Sequence, residues 1–418
     1  MNTPVEISGQ SSLTGLRVIE IGTSVAAPFG AQILGDMGAE VVKIERHGTG
    51  DDTRNWAPPE WNGQSIAFLS FNRNKKSVVL DYKTESGRKV LEELVASADV
   101  LIQNLRPGAL AKAGFGAERL RELNPKLIYC EMSGYGHTGP RAMQPAYDPL
   151  LQAYSGIVSI TGDDGGAPAR VPVSLLDMGT GMWMALAVYE ALRRRDRSGE
   201  GCHVQLSLLQ TALTWLTSPM IGQAAGNPVP QRLGSGFRGV VPYGAFPTSD
   251  GYVFISAGNN DIWLRLVKAI GAEDLHQREG FGTNPDRNRN RHAVIEALSA
   301  RTSRFTLDEI VPLLASAGVP HSPVNTMDRV IKDEQVQAIG MLQPLPHPAI
   351  EDMQLVNLPM TFDGAYPALT KTPPQLGEDT AEVLASLGLA QQDIDALFAD
   401  GTVAGVPELV TAQGGVKA

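Results

Sequence analysis

Two cysteines in 418 residues, Cys130 and Cys202, are too few for a disulfide framework or a four-thiolate zinc site, and they point to a reducing, cytoplasmic setting. Positive charge is short as well: 35 Lys and Arg stand against 45 Asp and Glu, giving a formal net charge of −10. That balance offers no broad basic face, so nucleic acid is not an expected partner. A protein of this charge that handles anions must gather its cations locally. Long apolar runs are missing, so no segment predicts a membrane span. The polar opening MNTPVEISGQSSLT lacks the layout of a secretory signal. His47, His137, His203, His276, His292, His321 and His347 are scattered singly, and no metal site is expected from them.

What is present reads as a globular α/β chain. Hydrophobic residues at 43% and charged residues at 19% are ordinary for a folded protein, and the length suits two or three domains. Leu16–Ile21 (LRVIEI), Ala26–Met37 and Glu40–Ile44 (EVVKI) predict a strand, a helix and a strand. The turn after the first strand, IGTSVAAPFG, lacks the G-x-G-x-x-G spacing with which a backbone approaches a dinucleotide pyrophosphate, so a dinucleotide cofactor is not expected. Further strands at 77–80, 100–103 and 127–132 alternate with helices, the pattern of a mostly parallel sheet covered on both faces. Arg46, Asn104, Arg106, Ser133, Gly134 and Tyr135 all fall just after predicted strands, which places them on one edge, where such sheets bind ligands. The Gly- and Pro-dense stretch 226–239 reads as a crossing between domains. The expected organisation is a large Rossmann-like domain over 1–225, a smaller α+β domain over 226–330, and a C-terminal segment, 331–418, that returns to the large domain.

Val173–Arg197, VSLLDMGTGMWMALAVYEALRRRDR, predicts a long helix with Asp177 at its first turn and three arginines in its last, closed by Ser198 and Gly199. Met178, Met182, Leu186, Tyr189 and Ala191–Leu192 follow a roughly helical period. At a helix mouth the free N–H groups favour an anion, so Asp177 is expected to be ionised, with Gly179 and Gly181 leaving the backbone open to a ligand. By residue type alone the same aspartate is an ordinary N-cap. Arg46, Arg73, Lys75 and Lys76 form a cationic group that serves either as an anion site or as a solvated loop face.

Six stretches in order resemble the class III coenzyme A transferases, a superfamily that includes formyl-CoA and carnitine transferases and the α-methylacyl-CoA racemases. They are RVIEIGTSVAAPFGAQILGDMGAEVVKIERHGTGDDTR, FNRNKKSVVLD, LIQNLRPGALAKAGFG, SGYGHTGP, LLDMGTG with the helix after it, and GNNDIW. The resemblance implies that Asp177 is the nucleophile that attacks an acyl-CoA thioester, giving an anhydride and then an aspartyl thioester of CoA. It implies CoA-binding roles for Val25, Ala26, Arg46, Leu80, Lys83, Asn104, Leu105, Arg106, Lys112, Ser133, Gly134, Tyr135 and Gly136. Gly258, Asn259 and Asn260 match a loop that closes over the active aspartate in the family, here with two asparagines in place of glycines. That difference implies an acceptor other than oxalate.

The expected reaction is transfer of CoA from an acyl-CoA, succinyl-CoA foremost, to a small carboxylic acid, with acyl-CoA as substrate and no tightly bound cofactor or metal. The expected assembly is an interlocked homodimer. The alternative is an α-methylacyl-CoA racemase or related isomerase, which needs a histidine opposite the aspartate. Tyr147 stands where that histidine belongs.

Overall fold

The computed structural model describes residues 11–406. These form two compact units. The first holds the chain up to Ser155, Pro172–Thr217 and the part from Ile339 onward; the second holds Gly156–Val171 and Ser218–Ala338. Gly156–Val171 is an excursion that leaves the first unit and returns to it at Pro172. Its place in the second unit comes from contacts distant in sequence: Arg232 donates to the Gly166 carbonyl at 3.1 Å, and the Gly234 N–H to that of Gly162 at 2.9 Å.

The first unit is built on β1 (Arg17–Ile21), α1 (Ala26–Asp36), β2 (Glu40–Glu45), β3 (Lys75–Leu80), α2 (Glu85–Ala96), β4 (Val100–Gln103), β5 (Ile128–Ser133), α3 (Asp148–Ser155), α4 (Leu175–Ser198), β6 (His203–Ser207) and α5 (Leu208–Trp215). Six parallel strands lie in the order β3-β2-β1-β4-β5-β6, and Val403–Ala404 adds a short antiparallel edge beside β3. Ile19 of β1 sits between Val42 and Leu101 in register, all buried. Such β-branched and apolar strands bury both faces, as a parallel sheet covered by helices requires. On one face Val90, Leu91, Leu94 and Val95 of α2 pack on Val42, Val78 and Leu101; burying each such side chain contributes roughly 1.5–3 kcal/mol.

On α4 the buried face differs from the expected one. Leu176, Gly179, Thr180, Gly181, Met184, Ala185, Val188, Ala191 and Leu192 are buried, while Met182 and Leu186 are more than half exposed. The reason is steric, because α4 lies close against α1. A Cβ on Gly181 would stand 2.8 Å from the Ala26 carbonyl oxygen and 3.0 Å from the Gly30 nitrogen. Gly179 is likewise covered, by Thr211 and Trp215 of α5. These glycines admit neighbouring helices, not a ligand. Gly199, at φ +74°, ends α4 in a left-handed C-terminal turn.

The second unit has a three-stranded antiparallel sheet of β7 (Tyr243–Pro247), β8 (Tyr252–Ser256) and β9 (His321–Pro323), with β8 in the centre. Its own core joins Phe246, Val253 and Ile255 to Trp263 and Leu266 of α6 (Asn260–Ala269) and to Ile310 and Leu314. Back in the first unit, β10 (Leu342–Pro344) and β11 (Gln354–Val356) form a hairpin, and Leu345, Ile350 and Met353 bury against Leu69.

Candidate active site

Connections leave β1 toward β2 and β3 on one side and continue from β4 to β6 on the other, so a crevice opens at the carboxyl ends of the central strands. A cavity of about 480 Å³ lies there. Ile21 and Gly22 after β1, Glu45 and Arg46 at β2, Leu80 at β3, Asn104 to Arg106 after β4 and Ser133 with Gly134 at β5 line it, together with Ala26, Tyr147 and Asp177.

The turn after β1 is held on its main chain by side chains. Asn104 accepts from the Thr23 N–H at 3.0 Å and donates to the Thr23 carbonyl at 2.8 Å. Asp51 accepts from the Ser24 N–H at 3.1 Å, and Lys43 donates to the Gly22 carbonyl at 3.0 Å. Gly22 must be glycine, because a Cβ there would lie 2.6 Å from that of Ala27 and 3.0 Å from Asn104. Ser24 takes φ +70°, unusual for a residue with a side chain.

Asp177 is the third residue of α4, behind Ser174 at the N-cap, and its side chain is half-buried on the cavity wall. The free N–H groups expected to stabilise it are already taken. Asp148, itself buried, accepts from the Leu176 N–H at 2.6 Å and the Asp177 N–H at 3.2 Å, and from Gln152 at 2.5 Å. Burial, and then the negative charge of Asp148, push the Asp177 carboxyl up to about 7. Burial beside Asp148 thus works against the ionised aspartate that a free helix mouth would favour.

The cationic group is corrected in a similar way. Lys75 is fully buried against Glu20 at 2.8 Å and donates to the Pro28 carbonyl, and Arg73 is buried against Asp36 at 2.7 Å. Lys76 bridges Glu40 and Glu382, both at 2.8 Å. These three hold the fold, and only Arg46 of the group reaches the cavity, paired with Asp52.

Among the positions expected to bind CoA, Ala26, Arg46, Leu80, Asn104, Leu105, Arg106, Ser133 and Gly134 converge on the cavity wall. Val25 is buried at the start of α1; Lys83 and Lys112 are exposed beyond the wall. Tyr135 packs edge-on against Tyr154 with ring centroids 5.1 Å apart, and the Gly136 N–H donates to Ser133 Oγ at 3.2 Å. Gly258, Asn259 and Asn260 belong to the second unit. There Asn259 caps α6 by accepting from the Ile262 N–H at 2.8 Å, and Asn260 accepts from the Asn284 N–H at 2.9 Å and from Arg287 at 3.2 Å. Tyr82, inside the 80–83 run that the resemblance marks for CoA, lines the cavity too; Asp51, Asp52, Trp56 and Gln144 also line it and escaped the sequence reading, because they sit in segments marked only by turn residues. Asp148, the first residue of α3, escaped too; an aspartate at a helix start was its one signal.

The profile of CoA-transferase family III matches residues 13–380. This chain belongs to the class III CoA transferases. Among relatives of this transferase, the succinyl-CoA:glutarate CoA-transferase of Mus musculus is 35% identical over 372 residues, 89% of this chain and 85% of the mouse protein. The succinate–glutarate CoA-transferase of Agrobacterium fabrum is 35% identical over 381 residues, 90% of this chain and 95% of that protein. The crystal structure of a CaiB/BaiF family protein from Brucella suis superposes with a TM-score of 0.84 at 35% identity, covering 91% of this chain and all of that one. The mixed α/β fold with a large, mostly parallel sheet is therefore that of the class III transferases, which act on CoA thioesters.

Proposed function

We propose that this transferase moves CoA from succinyl-CoA to a small dicarboxylic acid, glutarate foremost, through a covalent adduct on Asp177. The observation that carries the reading is a half-buried carboxyl group on the wall of the cavity at the carboxyl edge of the sheet, its pKa raised by burial and by Asp148 beside it. The relatives that share most of the chain's length support the choice of donor and acceptor.

The chemistry balances without an external redox partner. An Asp177 oxygen attacks the thioester carbonyl carbon, the C–S bond breaks, and CoA leaves as thiolate from an acyl–aspartyl anhydride. That thiolate attacks the aspartyl carbonyl and releases the donor as a carboxylate, leaving CoA on Asp177. The acceptor carboxylate displaces the thiolate to form a second anhydride, and the thiolate returns to the acceptor's carbonyl, freeing Asp177. Thioester replaces thioester, so the difficulty is to keep water from the adducts.

Arg46 and Arg106 supply cations for the CoA phosphates, with Lys83 and Lys112 farther along the chain and Val25, Tyr135 and Gly136 supporting the same ligand. Gly258, Asn259 and Asn260 serve as a substrate loop. No tightly bound cofactor is required, and the protein works in the cytoplasm as an interlocked homodimer. Exposed Met182, Trp183 and Leu186 of α4 and Leu213 and Trp215 of α5 support self-association. Among the described residues no histidine lines the cavity, and a racemase needs one as its second proton-transfer group.

Asp177→Ala is expected to abolish formation of glutaryl-CoA from succinyl-CoA and glutarate while CoA still binds by calorimetry. Retained transfer would refute the proposal. Light scattering tests the assembly, for which a stable monomer is the contrary result.

A further inference from the structure

The cavity rests on a buried ionic chain whose members lie outside the catalytic chemistry. Glu20, Lys43 and Asp51 are all at most 1% exposed. Lys43 Nζ lies 2.6 Å from Glu20 and 2.7 Å from Asp51. Burial alone would draw Lys43 toward its neutral form, but the charges of Asp51 and Glu20 outweigh it and push its pKa above the ordinary lysine value. Asp51 in turn is held below its ordinary range, because Lys43 and the Thr53 bonds outweigh the effect of burial. A second anchor fixes the loop that carries Asp51: Glu45 accepts from the Asp51 N–H at 2.9 Å and pairs with Arg54 at 2.6 Å.

Removing two charges from water is justified only by a geometry that uses them fully. Here Lys43 and Asp51 reach the same short turn from beneath, Lys43 at the Gly22 carbonyl and Asp51 at the Ser24 N–H. That turn holds Ser24 at φ +70°, a conformation that needs outside support in a residue with a side chain. Thr23 and Ser24 line the cavity with Asp177, and their hydroxyls have no hydrogen-bond partner among the described residues. Hydroxyl groups are apt donors to a carboxylate such as the acceptor acid.

We propose that Asp51, with Lys43 as its counter-ion, is a positioning residue for transfer: it holds the Gly22–Ser24 turn so that the Thr23 and Ser24 hydroxyls orient the acceptor carboxylate and leave no room for water. The inference rests on the reading of Asp177 as the carrier of CoA. A loosened turn would let water compete for the adduct, so the signature is a change in partition rather than in rate alone.

The test measures glutaryl-CoA formation and free CoA release from succinyl-CoA in parallel, in wild type and in Asp51→Ala. Partial unfolding lowers both rates together and cancels in their ratio. The ratio of hydrolysis to transfer is expected to rise about tenfold, with a higher KM for glutarate. An unchanged ratio and KM overturn the positioning role. If Asp51→Ala does not fold, Asp51→Asn keeps the shape and loses the charge that meets Lys43; a rise of about threefold is then expected, and no change is again fatal. Intact mass spectrometry of wild type with succinyl-CoA separates the two claims. Absence of a CoA adduct on Asp177 overturns the reading of the site, whereas a normal adduct with an unchanged ratio overturns only the role of Asp51.

Discussion

Asp148 occupies the helix mouth beside Asp177: one of its carboxylate oxygens accepts from the N–H groups of both Leu176 and Asp177, at 2.6 and 3.2 Å. A carboxylate that could have been stabilised by the first turn of α4 is thus displaced by another, and its own ionisation is made harder by the neighbour's charge.

From this follows a pH dependence. In the proposed mechanism the attacking group is the Asp177 carboxylate, whose pKa is pushed up to about 7, so kcat/KM for succinyl-CoA is expected to be low in acid and to rise as pH increases through about 7. Asp148→Asn keeps a capping oxygen and removes the like charge, so the midpoint should move to lower pH. A profile already flat from pH 5 upward would contradict the burial argument.

Stability should carry the opposite sign. The folded pKa of Asp177 is raised above its ordinary value of 3.8, so the stability due to its neutral form is present below about 4 and lost as pH rises through about 7. Asp177→Asn stays neutral throughout. Its Tm relative to wild type is expected to climb between about pH 4 and pH 8 by calorimetry.

Packing of α1 on α4 gives a third test. Alanine at Gly181 gains about 1 kcal/mol of helix propensity, but its Cβ would meet backbone atoms at 2.8 and 3.0 Å, which have little room to yield. Overpacking of this kind costs about 1–3 kcal/mol, so Gly181→Ala should unfold at lower denaturant concentration than wild type. Gly199→Ala, where nothing crowds the Cβ but φ is +74°, should also destabilise the fold, without affecting the KM for succinyl-CoA.

Arg106 is an exposed cation on the cavity wall, while Arg46 is engaged with Asp52. Loss of one charge-assisted phosphate contact is worth about tenfold, so Arg106→Ala should raise the KM for succinyl-CoA by that order at low salt. Titration with sodium chloride should shrink the difference, because an exposed pair is screened.

Much of this was legible along the chain. Alternating apolar runs and helical patterns announce the parallel sheet, and Gly199 announces the end of α4, because these depend on neighbours a few residues away. Motifs in order were enough to recognise the family; Asp177, which they mark, lies on the cavity wall. The environment of that aspartate was not legible, since it depends on Asp148, 29 residues earlier. Nor was the purpose of Lys43, Arg73 and Lys75: a cation in the sequence looks the same whether it meets a phosphate or a carboxylate buried on a distant helix, loop or strand. Local pattern is a property of bonded neighbours and survives in a string of letters. Protonation state, buried pairing and the choice of which helix face meets its neighbour come from through-space distances, which exist only once the sheet has brought its strand ends together.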